Sequence, residues 1–279
     1  MTTARKHSRI STVLRVVLSL LSLLATAQEK KEFSCTVGPG AVISITNNYG
    51  PITVKPSGSS QVVVETVSHS DTVSLVNEQH GNRIELRSTS SRQGINLVEY
   101  TVQVPATAFI TLRSSDGTLR AQGLRGDVVL DAASGSVEAT DISDAHLHVK
   151  TLSGPITLTD IRNSHLDIHS VRGNVDLHNV TGPSVEVNSG AGRITYDGDP
   201  GRIGEYLLTS HTGDLEVSIP ASAWVEIKAR SIKGQSEPEF PNVASAPTMG
   251  QVNLTGKPGK IGSRFELRSF SGKIRLKRP

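Results

Sequence analysis

The sequence predicts an all-β chain: a parallel β-helix, or β-solenoid, with rungs of about 19 residues and irregular capping segments at both ends. Three observations point there. Gly117, Gly135, Gly154, Gly173, Gly192 and Gly213 follow one another at steps of 18, 19, 19, 19 and 21 residues, and Gly272 stands in a further copy of the same surroundings. Apolar residues recur at fixed distances from each glycine: Leu147, Val149, Ile156 and Leu158 around Gly154, and Leu166, Ile168, Val175 and Leu177 around Gly173. The residues between them are mostly polar, which is the period-two alternation of a strand with one buried face and not a helical pattern. A unit this small cannot bury its apolar face alone, so like residues must stack over like residues in successive layers.

The elements follow in chain order. Residues 1–27 read as a secretory signal peptide: Arg5, Lys6 and Arg9 open it, 16–24 is apolar but for small serines, and Ala25-Thr26-Ala27 offers a cleavage site. The apolar run is short for a membrane span, so no stable span is expected once it is removed. Residues 28–108 read as an N-terminal β segment with the first repeat. It comprises a polar lead-in, a copy of the unit over 42–54, a strand over 61–68, a hairpin around His80-Gly81-Asn82, and an alternating strand ended by Pro105. Residues 109–235 hold the regular rungs. In 236–279, Pro238, Pro241, Pro247 and Pro258 mark a loop or irregular excursion, followed by a capping repeat around Gly272. Residues 28–279 are then one continuous domain.

Each rung reads as strand, glycine corner, strand, second corner. The glycines are expected to supply positive φ, where a Cβ would clash. Three residues before them stand small side chains, Ala132, Thr151, Ser170, Ser189 and Ser210, which fit an inward position near a tight corner. Six residues after them come Asp141, Asp160 and Asn179, expected to stack at the opposite corner and to hydrogen-bond turn amides.

Charge and cysteine bound the function. The net charge of +3 includes Arg5, Lys6, Arg9 and Arg15, so the chain without its leader is near −1. Basic residues are scattered and aromatics few, which points to no nucleic-acid partner. The single cysteine, Cys35, has no internal partner and reads as a small apolar residue on an early strand.

On Gly38-Pro-Gly40 leading into Ile43-Ser-Ile-Thr-Asn-Asn-Tyr-Gly50-Pro-Ile-Thr-Val54, on Tyr100-Thr-Val-Gln-Val-Pro105, and on the repeated x-Gly-x-Ile/Val-x-Leu unit, the chain resembles the bacterial DUF4097 "putative adhesin" family over roughly residues 38–279. The resemblance implies an extracytoplasmic, right-handed parallel β-helix without established catalytic residues. The shared motif consists of core and corner positions, so it carries over no site.

Catalytic signatures are absent: there is no Gly-x-Ser-x-Gly, no Cys and His at zinc spacing, and Gly190-Ala-Gly192 precedes a strand, unlike a phosphate loop. No catalytic residue and no cofactor is expected. One constellation stands out. His146 and His165 both lie eight before their glycines, and His148 and Asp167 both lie six before. A parallel stack makes these four an outward rectangle of roughly 5 Å by 7 Å. His146, His148, His165 and Asp167 are therefore a candidate divalent-metal site, with a solvated, histidine-rich face as the alternative. His169 and His178 share a rung with His165.

The reading that follows is an exported, non-catalytic solenoid that presents a polar β surface for interaction, in an adhesion-like or envelope-structural role. Its place is the periplasm, the cell surface or the exterior, and its partner an envelope or extracellular protein or glycan. The alternative is binding or cleavage of envelope or extracellular polysaccharide. Sugar rings pack on aromatic faces, for which Trp224, Phe240 and Tyr196 are the candidates. Paired carboxylates in a cleft would mark a hydrolase. Asp141 and Asp160 stack, but the short rungs between 109 and 218 leave little room for a cleft.

Overall fold

The computed structural model describes residues 29–70, 73–90, 97–220, 222–234, 236–238, 251–255 and 262–277. The secretory segment read over 1–27 lies outside them. Before the regular rungs come β1 (Glu29–Thr36), β2 (Val42–Tyr49), β3 (Ile52–Ser57), β4 (Gln61–Ser68), β5 (Val73–His80), β6 (Arg83–Ser90) and β7 (Val98–Pro105). The rungs follow as strand pairs: β8 (Phe109–Asp116) with β9 (Leu119–Gln122), β10 (Val128–Ala132) with β11 (Val137–Thr140), and β12 (His146–Thr151) with β13 (Ile156–Thr159). Next are β14 (His165–Ser170) with β15 (Val175–His178), β16 (Ser184–Ser189) with β17 (Ile194–Asp197), and β18 (Glu205–Ser210) with β19 (Leu215–Ser218). The chain ends in β20 (Val225–Ser231), β21 (Ser236–Pro238), β22 (Gln251–Thr255), β23 (Ser263–Ser269) and β24 (Ile274–Lys277).

These strands build two twelve-stranded sheets, parallel throughout the regular rungs. One runs β1-β4-β7-β3-β9-β11-β13-β15-β17-β19-β24-β21, the other β22-β20-β23-β18-β16-β14-β12-β10-β8-β2-β6-β5. The register is the one the repeat demands: Leu147 pairs with Leu166 and Leu158 with Leu177. Because side chains alternate, this places Val149, Ile168 and Val187 in one continuous buried column, while His169 stays exposed. Every inward aliphatic removed from water contributes about 1.5–3 kcal/mol. A one-residue slip would move that whole set to the outside.

Glycine and aspartate exchange the corner roles expected of them. Gly154 and Gly173 have ordinary backbone angles, and what demands glycine is close approach. A Cβ at Gly154 would stand inside the carbonyl of Gly135, and one at Gly173 inside the carbonyl of Gly154. The same ladder joins Gly50, Gly117, Gly135, Gly154, Gly173, Gly192, Gly213, Gly272 and Gly234. Left-handed backbone sits at the opposite corner: Asp141 at φ 54°, Asp160 at 55° and Asn179 at 53°, with Asp144 at 55° and Asn163 at 48° forming a second column that the sequence reading passed over. Asp and Asn enter this region more readily than other side chains. Among the described residues these side chains bond one another and Arg162 across rungs, with no turn amide among their partners. Asn179 donates to Asp160 across rungs (3.3 Å), Asn163 to Asp144 (2.6 Å), and Arg162 to Asp141 (2.9 Å).

Both ends depart from simple succession. The polar lead-in is a strand, β1, paired antiparallel with β4. The early copy over 42–54 joins the array directly, since Ile43 pairs with Ile110 and Ile52 with Leu119. The hairpin around His80-Gly81-Asn82 forms as β5 and β6, and β6 lies parallel on β2. In the proline-rich stretch, β21 and β22 are strands paired with β24 and β20, while Pro241, Pro247 and Pro258 lie outside the described residues. The last copy does not close the stack. β23 lies between β18 and β20, so the rung of β20 and β21 is outside it and β22 forms the edge.

Near that end Tyr196, Tyr206 and Phe265 pack ring against ring, with centroids 4.4–5.4 Å apart. The Tyr196 hydroxyl donates to the Val180 carbonyl (2.9 Å) and that of Tyr206 to the Pro200 carbonyl (3.0 Å). Burial pushes the Tyr206 phenol up to about 12 from 10.0, likewise Tyr100 to about 12, and Tyr196 upward as well.

Two outcomes follow. Gly154→Ala should destabilise by about 1–3 kcal/mol through overpacking against Gly135, whereas Asp160→Gly should be tolerated because it relieves left-handed backbone and gives up only the exposed hydrogen bond from Asn179. Denaturant melts compare the two, and equal losses would reverse the assignment of roles. Raised tyrosine values mean that the folded state favours the neutral phenol. Stability should hold below pH 10 and fall as pH rises toward about 12. Phenolate absorbance should rise for these tyrosines together with loss of the strand signal in circular dichroism, and independent early ionisation would contradict their burial.

Candidate functional site

The outward positions of the β10-β12-β14-β16 sheet carry the histidine constellation. Register places His146 beside His165 and His148 beside Asp167. The rings of His146 and His165 stack with centroids 5.0 Å apart at 21°. His146 Nδ1 lies 3.1 Å from Asp127 Oδ1. Asp167 spans two imidazoles, with Oδ2 3.2 Å from His148 Nδ1 and Oδ1 2.9 Å from His169 Nε2. The expected rectangle therefore exists as a shared face, but its members bind in pairs. Among the described residues no group of three or more histidine, cysteine, aspartate or glutamate side chains is gathered as metal ligands require. The contacts that His146, His148, His165 and Asp167 make are histidine–carboxylate pairs and one ring stack on an exposed face. His178 belongs to the other sheet.

The remaining candidates are structural. Asp141 and Asp160 serve the left-handed corner. Tyr196 is buried, Trp224 is half-buried, and Phe240 lies outside the described residues. Cys35 is half-buried on β1 against the core, and burial pushes its thiol up, away from the reactive thiolate.

What sequence reasoning missed is the column two residues before each glycine. Alternation makes the residue three before the glycine inward, and these positions are indeed buried. Their hydroxyls close the corner. Thr151 Oγ1 accepts from Gly154 N (2.9 Å), Ser170 and Ser189 donate to the carbonyls of Gly173 and Gly192 (2.7 and 3.0 Å), and Ser210 and Ser269 accept from Gly213 and Gly272 (2.9 and 2.8 Å). Ser114 occupies the same column without a hydrogen-bond partner among the described residues. The residue next in sequence must then face outward, and here it is often apolar: Leu152 is 53% exposed, Val171 48% and Ile232 61%. Phe270 continues the column, stacked on His211 at 4.8 Å and overlaid by Lys233 at 4.8 Å.

This column forms one side of a trough of about 990 Å³ that runs along the solenoid axis. Its other side is the column four before the glycine, which includes Arg113, Asp131, Lys150, His169 and Arg268. Arg268 is engaged by Glu266 at 2.7 Å. Corner amides are consumed between rungs, for example Leu152 N to Ala132 O (3.3 Å) and Val171 N to Thr151 O (3.1 Å). The trough therefore offers apolar surface and side-chain charge but few free backbone groups. The signal was present in the sequence as Leu152, Val171, Ile232 and Phe270 at one repeat position where polar residues belong.

A family model described as Toastrack DUF4097 matches residues 41–277. Among solved structures, the chain is similar to a "putative adhesin" from Bacteroides fragilis NCTC 9343, at 12% identity over 91% of this chain and 99% of that one, with a TM-score of 0.50. It is also similar to a "putative lipid binding protein" from Parabacteroides distasonis ATCC 8503, at 12% identity over 89% and 96% with a TM-score of 0.41. A comparison with curated proteins finds no match. At 12% identity the likeness to the Bacteroides fragilis protein speaks for the fold alone.

The two columns at the corner should separate in stability. Ser170→Ala removes a buried hydrogen bond to Gly173 and should cost about 1 kcal/mol. Leu152→Asp and Val171→Asp lie at exposed positions and should each stay within about 0.5 kcal/mol of the parent. Thermal melts measure both, and a larger loss from the trough residues than from Ser170 would make that column part of the core.

Proposed function

The chain belongs to the Toastrack DUF4097 family, and from that footing we propose that it is an exported, non-catalytic solenoid that binds its ligand along the corner trough. The trough is the observation that carries this reading. Three of the six large hydrophobic side chains exposed among the described residues, Leu152, Val171 and Ile232, line it. Exposed apolar side chains grouped in one trough, Leu152 with Val171 and, beyond Gly190 and His211, Phe270 with Ile232, and bordered by charge, mark an interaction surface. The reading refines the polar β surface expected from sequence: the histidine-rich face is solvated, and the strip beside it supplies the contact. Export rests on the basic, apolar and small-residue succession of residues 1–27. An adhesion-like or envelope role agrees with the name carried by the similarly folded Bacteroides fragilis protein.

Retention of small molecules from a bacterial envelope extract tests the proposal. Native mass spectrometry of the chain from residue 28 onward should show retained material, lost in the Leu152→Asp/Val171→Asp variant and recovered chemically unchanged. Identical retention by both proteins would place binding elsewhere. Conversion of the retained material would make the protein an enzyme.

A further inference from the structure

We infer that the occupant of the trough is a single-chain amphiphile with an anionic head, of the chemistry of a long-chain fatty acid. This rests on the trough being the binding surface and names the ligand class for it.

Hydrogen bonding narrows the class first. A sugar chain or an extended peptide requires a polar partner for most of the donors and acceptors it loses to water. The corner column supplies few of them, and the polar side chains that line the trough, such as Asn188 and Thr209, stand on its border. The hydroxyls of Thr151, Ser170, Ser189, Ser210 and Ser269 are engaged with the corner glycines, and the corner amides are engaged with the preceding rung. An alkyl chain makes no such demand and gains from covering Leu152, Val171, Phe270 and Ile232.

Length agrees with that choice. The corner bonds order this column as Leu152, Val171, Gly190, His211, Phe270 and Ile232. Five rung steps of about 4.8 Å span roughly 24 Å. One leaflet of a bilayer contributes about 15 Å of hydrocarbon, half of the ~30 Å core, so a single extended acyl chain fits along the column. Gly190 leaves no side chain between Val171 and His211, so a chain lying there meets no step in that wall.

Charge sets the head. Arg113 and Lys150 border the end of the trough near Leu152 and form no ion pair among the described residues, although Asp131 sits on the rung between them. His169 and Arg268 continue that border, with Arg268 held by Glu266. A carboxylate head is drawn to Arg113 and Lys150 and repelled by Asp131, whereas a cationic head has the opposite preference.

Displacement of an anthroyloxy-labelled stearate from the chain beginning at residue 28, below micelle-forming concentrations, tests the inference. Palmitate should compete at one equivalent, and hexadecyltrimethylammonium at least about tenfold less well. Leu152→Asp/Val171→Asp should weaken palmitate by about tenfold or more. Arg113→Glu/Lys150→Glu should weaken it severalfold, and Asp131→Asn should tighten it, a gain that misfolding cannot produce. Equal affinity for the anionic and cationic amphiphiles, or no effect of the trough variant, overturns the assignment. If palmitate fails while the trough variant still loses envelope material, the ligand class falls and the binding trough stands. If both fail, the trough is not the binding surface.

Discussion

The contact on which everything else depends is the seating of one corner glycine against the carbonyl of the glycine one rung below. It fixes how closely successive backbones approach, and with that the register of both sheets. Once Gly154 is lodged over Gly135, Val149 must stand over Leu130 and Ile156 over Val137. The hydroxyl three residues before each glycine ties the corner to its own strand. Apolar burial supplies most of the driving force, but it is non-directional and would tolerate other alignments of similar aliphatic residues. The glycine column removes that freedom, because any other residue in it meets backbone.

Parallel rungs leave an unsatisfied edge at each end of the stack. Here three of the four sheet ends finish in antiparallel strands from sequence that breaks the repeat, and the fourth, β21, lies parallel on β24. β1 covers β4 and carries Glu29, Lys30, Lys31 and Glu32 along its exposed length. β5 covers β6, and β22 covers β20. A charged edge strand discourages a second copy from adding to the sheet.

Most of the fold was legible because the repeat states it many times over. Alternation identified Ile168 as inward and His169 as outward, and the glycine spacing identified the parallel register. The φ values were not legible, since glycine answers two different needs, left-handed backbone and missing volume, and sequence does not say which. Only the proximity of Gly135 to Gly154 decides it. The order of the last rungs was also hidden. Nothing in 263–277 distinguishes a copy that ends the stack from one that slides inside it. The candidate site was half-visible. Histidines draw attention by their chemistry, and Asp127, Asp167 and the neighbouring ring account for the contacts of His146 and His148. Leu152 and Val171 looked like ordinary aliphatics until the buried Thr151 and Ser170 forced them outward.

The placement of β23 between β18 and β20 has a temporal meaning. A solenoid in strict chain order can add each rung to a finished surface as the polypeptide emerges. Here the surface left by β18 and β19 waits for residues near the very end of the chain, and β20 waits with it for its inner neighbour. The final rungs therefore lock in one late event that joins segments widely separated in sequence, the kind of contact that forms slowly. Translocation across a membrane would deliver β20 well before its partner. Until β23 arrives, the growing end keeps open strand edges, and the molecule is completed by an insertion instead of an addition.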